Sequence, residues 1–139
     1  MGTGDRDQGG KDVVSVLVVD DHESFREGMR ELVAATDGFM LIGEATSGEE
    51  AIVAADELRP QLVIMDKRMP GLSGIEASRL ITSRHPDVVV VIVSVEEPDA
   101  RVLRSSGAVA FVRKQALSLR VLGDLWREHG RGIHTQPPD

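Results

Sequence analysis

The chain has 139 residues, 41% of them apolar, enough for one packed core and too little for two ordinary domains. A formal charge of −7 disfavours a phosphate-coating role, and three Phe, one Trp and no Tyr leave no aromatic platform for single-stranded nucleic acid. The absence of cysteine excludes disulfides, thiolate metal sites and cysteine nucleophiles, and no run approaches the roughly 18 apolar residues of a membrane span.

Residues 1–11 are polar and glycine rich after Met1 and read as a flexible leader with no apolar signal segment, so a soluble intracellular protein is expected. A first strand is predicted over 13–20, where Val16, Leu17, Val18 and Val19 run into Asp20 and Asp21. Phe25, Met29, Leu32 and Val33 then fall at helical spacing. A second strand covers 39–45. Ser47 and Glu50 have the spacing of a capping box, which opens a helix to about Leu58, and Pro60 stops it. The third strand, 61–66, ends on Asp66, and Pro70 and Gly71 mark the next segment as a loop. Ser73 and Glu76 repeat the capping-box spacing and open a helix to about His85, ended by Pro86.

The β-branched run 88–94 is the clearest strand and is expected to lie centrally. A short helix over 98–106, a fifth strand over 109–113 and a last helix over 117–128 follow. That helix carries Leu119, Leu122, Leu125 and Trp126 on one stripe. The domain is thus expected over 12–128, with 129–139 a disordered tail or the start of a linker.

Short, nearly continuous Val/Ile/Leu runs are what strands look like when a parallel sheet is covered on both faces. A charge is excluded from such a layer but tolerated where the strand leaves it. Asp20, Asp21, Asp66 and Lys114 all stand at such exits. Five strands alternating with five helices specify a doubly wound α/β fold, whose right-handed crossovers bring the ends of strands one, three, four and five to one rim. Three carboxylates facing one ammonium there form a site for a divalent cation and a phosphoryl group, and without the cation their repulsion is expected to raise at least one pKa.

With Asp20-Asp21 after strand one, Asp66 in Met-Asp-Lys-Arg-Met-Pro-Gly, Ser94 after strand four and Lys114 after strand five, the chain resembles the response-regulator receiver domain of two-component signalling over about 13–128. The resemblance implies a flavodoxin-like (βα)5 fold with strand order 2-1-3-4-5. It implies a phosphoacceptor rather than an enzyme, with Asp66 phosphorylated by a histidine kinase. Asp20, Asp21, Asp66 and the Arg68 backbone carbonyl would hold Mg2+, and Lys114 would oppose the phosphoryl charge. Ser94 would move toward a phosphoryl oxygen and Phe111 inward behind it, switching the face built from the fourth helix, fifth strand and last helix.

The segment from Leu41 to Ala51 and the start Asp20-Asp21-His22 are similar to the NarL/FixJ, or LuxR-type, subclass. That likeness implies a cytoplasmic regulator of transcription, a possible homodimer, no membrane partner, and contact with DNA only through a helix-turn-helix output domain. After Lys114 there is room for one helix and a tail, so such a domain is expected to be absent here or the receiver to act alone.

Several residues depart from the family pattern. Val95 stands where Ala or Gly is usual, and its branched side chain is expected to slow phosphoryl transfer. The interval from Ser94 to Phe111 is slightly short, which trims the fourth helix or the loop before it, and Gln115 replaces a common proline. Arg68 and Glu96 flank the site with opposite charges that could pair across its mouth. His22, His85, His129 and His134 show no metal-ligand spacing and read as surface residues, and Lys67 reads as solvated. Two other functions are open to this sequence. One is a degenerate receiver binding partners without phosphorylation. The other is a small phosphohydrolase with Asp66 as nucleophile, against which Arg68 stands where such enzymes carry a second acid.

Overall fold

The computed structural model describes residues 13–97 and 99–130. The elements are β1 (Val14–Val19), α1 (Glu23–Ala35), β2 (Phe39–Ala45), α2 (Gly48–Leu58), β3 (Leu62–Asp66), α3 (Gly74–Arg84), β4 (Val89–Ser94), α4 (Ala100–Ser106), β5 (Ala110–Arg113) and α5 (Leu119–His129). All four strand pairings are parallel, and the sheet order is β2-β1-β3-β4-β5, the 2-1-3-4-5 arrangement. The middle strand is β3, and β4 lies inside the sheet between β3 and β5, as expected. Every residue of both is buried, as expected of strands covered on two faces.

The sheet divides the core into two layers because successive strand residues face opposite ways. Leu17, Val19, Met65 and Ile92 pack with Ala51 and Ala55 of α2 and Ala77 and Ile81 of α3. Val16, Val18, Ile64 and Val93 pack on the other face with Met29 and Val33 of α1 and Leu122 of α5. Small alanines let α2 and α3 approach the sheet closely.

The helix starts fall where the sequence places them, with two differences. Ser47 Oγ accepts the Glu50 N–H at 3.1 Å, but the Glu50 carboxylate turns back to Thr46, accepting from its N–H at 2.6 Å and its hydroxyl at 2.9 Å. The reciprocal half of the expected box is therefore shifted by one residue. A single 3-10 turn, Lys114–Ala116, precedes α5, which begins later than predicted with Ser118 as its cap. Leu119, in the first turn of α5, is 45% exposed instead of joining the apolar stripe, while Leu122 is buried and Leu125 and Trp126 pack on the core.

Asp99 caps α4, whose seven residues match the short interval before Phe111. The leader 1–11, residue 98 and the tail 131–139 lie outside the described residues. Among the described residues no helix is long and apolar enough to cross a membrane.

Candidate functional site

Strand register assembles the carboxyl rim. Val19 of β1 is level with Met65 of β3, so Asp20 and Asp66 stand side by side as their strands end. Asp66 pairs with Val93 and Ser94 with Arg113, which sets Ser94 and then Lys114 one step further along the same edge. Asp20, Asp66, Ser94 and Lys114 thus come together as the sequence predicts.

Lys114 Nζ lies 2.7 Å from Asp20 Oδ2 and 3.3 Å from Asp66 Oδ1. It also sits 4.4 Å above the centre of the Phe25 ring, a cation–π contact that holds the ammonium over the acids. The Asp20 side chain is 0% exposed. Its Oδ1 accepts the His22 N–H at 2.8 Å and lies 3.0 Å from His22 Nδ1, and Arg26 Nη1 donates to the Asp20 carbonyl at 2.7 Å. Asp20 Oδ2, at a poor angle to Lys114, and Asp21 Oδ1 are buried without a hydrogen bond.

Burial raises the Asp66 pKa to about 6, the charges of Asp20 and Asp21 add to the rise, and Lys114 works against it. The expected rise is present, though burial outweighs the carboxylate repulsion that the sequence suggested as its cause. For Lys114, burial opposes the charged form, but the close carboxylates of Asp20 and Asp66 prevail and hold its pKa above the usual lysine value.

A cavity of about 190 Å³ opens over this group, lined by His22, Asp66, Arg68, Ser94, Val95 and Lys114. Val95 is 66% exposed at its mouth. Ser94 is buried, and its Oγ accepts the Glu96 N–H at 3.0 Å. Phe111 is half-buried on the α2–α3 side of the sheet. The expected pair across the mouth forms: Arg68 Nε and Nη2 donate to Glu96 at 2.9 and 3.1 Å.

Lys67 is not free in solvent as the sequence suggested, because its Nζ donates to Glu96 at 3.0 Å. The Arg68 bond first, and the Lys67 bond second, hold the Glu96 carboxyl below its ordinary pKa. The loop beneath is tight: Gly74 N–H donates to the Lys67 carbonyl at 2.9 Å, and a Cβ at Gly74 would lie 1.9 Å from the Asp66 carbonyl oxygen.

One histidine differs from the surface reading, and a second matches it with company. His85 is mostly buried, with Nε2 2.7 Å from Asp56 Oδ1, in a cluster that Arg84 also joins. His22 is exposed, yet one atom from each of Asp20, Asp21, His22 and Asp66 lies within 4.8 Å of the others. The signal in the sequence is its place directly after an acidic pair at a strand end. His129 is partly exposed, and residue 134 lies outside the described residues. Clustered carboxylates with buried oxygens left unbonded fit a hard divalent cation.

The family of response regulator receiver domains matches residues 16–122. The chain belongs to that family. Response regulator GacA of Pseudomonas protegens is 43% identical to this receiver over 106 residues, 75% of this chain and 50% of the relative. The chain therefore spans about half the length of the curated relatives it matches. Among solved structures, the signal receiver domain of the putative response regulator NarL from Mycobacterium tuberculosis superposes with a TM-score of 0.76 at 26% identity, covering 84% of this receiver and 98% of that chain. A LuxR-family two-component response regulator from Aurantimonas sp. SI85-9A1 gives a TM-score of 0.74 at 30% identity, covering 84% of each. These likenesses bear out the NarL/FixJ, LuxR-type resemblance.

Proposed function

We propose that this receiver takes a phosphoryl group onto Asp66 from the phosphohistidine of a sensor kinase and passes the signal to a transcriptional output. The observation that carries this is the convergence of Lys114 Nζ on Asp20 Oδ2 and Asp66 Oδ1, at 2.7 and 3.3 Å, under a cavity large enough for a phosphoryl group. An Asp66 carboxylate oxygen attacks phosphorus, the donor's P–N bond breaks, and the donor imidazole leaves with the bonding pair and takes up a proton. Lys114 offsets negative charge on the transferred group, and its contacts with Asp20, Asp66 and Phe25 fix it beforehand, so little reorganisation is needed.

Asp20, Asp21, Asp66 and the Arg68 backbone carbonyl would hold Mg2+. When bound, the ion neutralises phosphoryl oxygens and relieves the repulsion among the acids. The Ser94 hydroxyl would exchange its Glu96 N–H for a phosphoryl oxygen, and Phe111, only half-buried, has room to follow. That would bias the α4–β5–α5 face between two arrangements. Dimerisation, and DNA contact through an output domain, belong to the same proposal as what membership of a LuxR-type subclass would entail.

The test is uptake from a small phosphodonor such as acetyl phosphate in the presence of Mg2+. The parent should form a phosphoprotein and Asp66→Asn should not; phosphate on the variant would refute the acceptor assignment. Val95→Ala should accept and lose the group faster, and equal rates would remove Val95 as a brake.

A further inference from the structure

His22 follows the acidic pair directly, where the chain turns from β1 into α1. Its backbone N–H and its ring Nδ1 both close on Asp20 Oδ1, at 2.8 and 3.0 Å, and the same Nδ1 lies 3.3 Å from Asp21 Oδ1. The mutual 4.8 Å limit on atoms of Asp20, Asp21, His22 and Asp66 is the spacing of donors around one ion. Asp21 Oδ1 is buried without a hydrogen bond, and wholly buried Asp20 Oδ2 faces only the Lys114 ammonium at 2.7 Å, so the acid pair keeps oxygen capacity for a ligand beyond the protein. The imidazole stands in the wall of the cavity above Asp66 and, at 65% side-chain exposure, is free to turn.

We infer that His22 is a nitrogen ligand of this rim, so that the site accepts imidazole-binding divalent transition ions such as Zn2+ and not oxygen-seeking Mg2+ alone. Three carboxylates by themselves suit hard cations, whereas one imidazole among them shifts the balance toward borderline ions. His22 Nδ1 would give up its bond to Asp20 and bind the ion as the neutral ring, its proton carried on Nε2 toward solvent. His22 acquires this role only if the acidic rim binds a cation at all, and the two claims are separable.

The experiment titrates the whole chain and His22→Ala with Zn2+ and with Mg2+ by calorimetry, and follows imidazole 15N resonances in the Zn2+-loaded protein. Zn2+ that Mg2+ displaces reports this site, which sets aside ions held by other histidines. The parent should show one Nδ1 resonance moved to a metal-bound position. His22→Ala should lose it and bind Zn2+ at least about tenfold more weakly, with Mg2+ affinity altered by less than about threefold. Unchanged Zn2+ affinity in the variant, or displaceable Zn2+ with no imidazole shift, overturns the ligand role. If Mg2+ binding and phosphoryl uptake persist beside such a result, the acceptor function stands; if neither ion binds the parent, both fall.

Discussion

Two charged clusters in this receiver are built on opposite balances. At the carboxyl rim three acids share one lysine in a buried setting, and the Asp66 carboxyl is pushed up to about 6. Between α2 and the end of α3 one acid, Asp56, meets nitrogen donors of both Arg84 and His85, and the His85 bond first, with Arg84 behind it, draws its pKa down. The second arrangement is relaxed and tethers two helices. The first crowds like charge into a buried setting, which costs stability and suits the proposed cation and phosphoryl group. Charge crowded without compensation marks a site, whereas charge matched within the protein marks a strut.

The sharpest way to break this contrast is to remove the lone rim cation. Lys114→Met leaves buried Asp20 unopposed and should lower stability in chelator by on the order of 3 kcal/mol, read from urea unfolding. Combining it with Asp66→Asn should recover part of that loss. Full additivity would show that Lys114 and Asp66 do not share one electrostatic site.

Asp66→Asn alone should stabilise the ion-free protein. The folded chain keeps the Asp66 proton up to about pH 6, while the unfolded chain releases it near pH 3.9, so the folded state binds more protons between these values. Stability therefore falls as pH rises through that window, and above it the penalty is complete, on the order of 3 kcal/mol at most. The gap between variant and parent should be widest at pH 7 and close toward pH 4. Mg2+ should narrow it at pH 7 by stabilising the parent. A gap that ignores pH would mean that Asp66 carries no such penalty.

The smallest effect belongs to the strut, and its sign is reversed. Asp56 has a lowered folded pKa, so its contribution is present above the unfolded value and lost as pH falls through the folded one. Asp56→Asn should slightly lower the melting temperature at pH 7 and leave it unchanged in strong acid. A rise at pH 7 would erase the distinction between the two clusters.

Much of this was legible in the sequence because it depends on local pattern. Uninterrupted β-branched runs gave the strands, and a charge at the end of such a run has one place to go, which located Asp20, Asp66 and Lys114. What stayed hidden depends on how far each helix reaches over the sheet and on long-range pairing. Leu119 stands in the first turn of α5 and is exposed although it has the helical spacing of Leu122 and Trp126, and no periodicity within the helix encodes which turn is covered. Lys67 and His85 looked like solvated residues because their partners, Glu96 and Asp56, are 29 residues away in each case. His22 lacked the spaced partners of a familiar metal motif, since its companions are its two preceding neighbours and Asp66 on another strand.

Gly74 has a wider implication. With no room for even a methyl group against the Asp66 carbonyl, the pedestal under the proposed acceptor is closed to substitution. The outer ring of Arg68, Val95 and Glu96 is not, since these side chains reach solvent. Divergence among proteins of this design would then concentrate in how long the signal lasts, leaving unaltered the chemistry by which it is received.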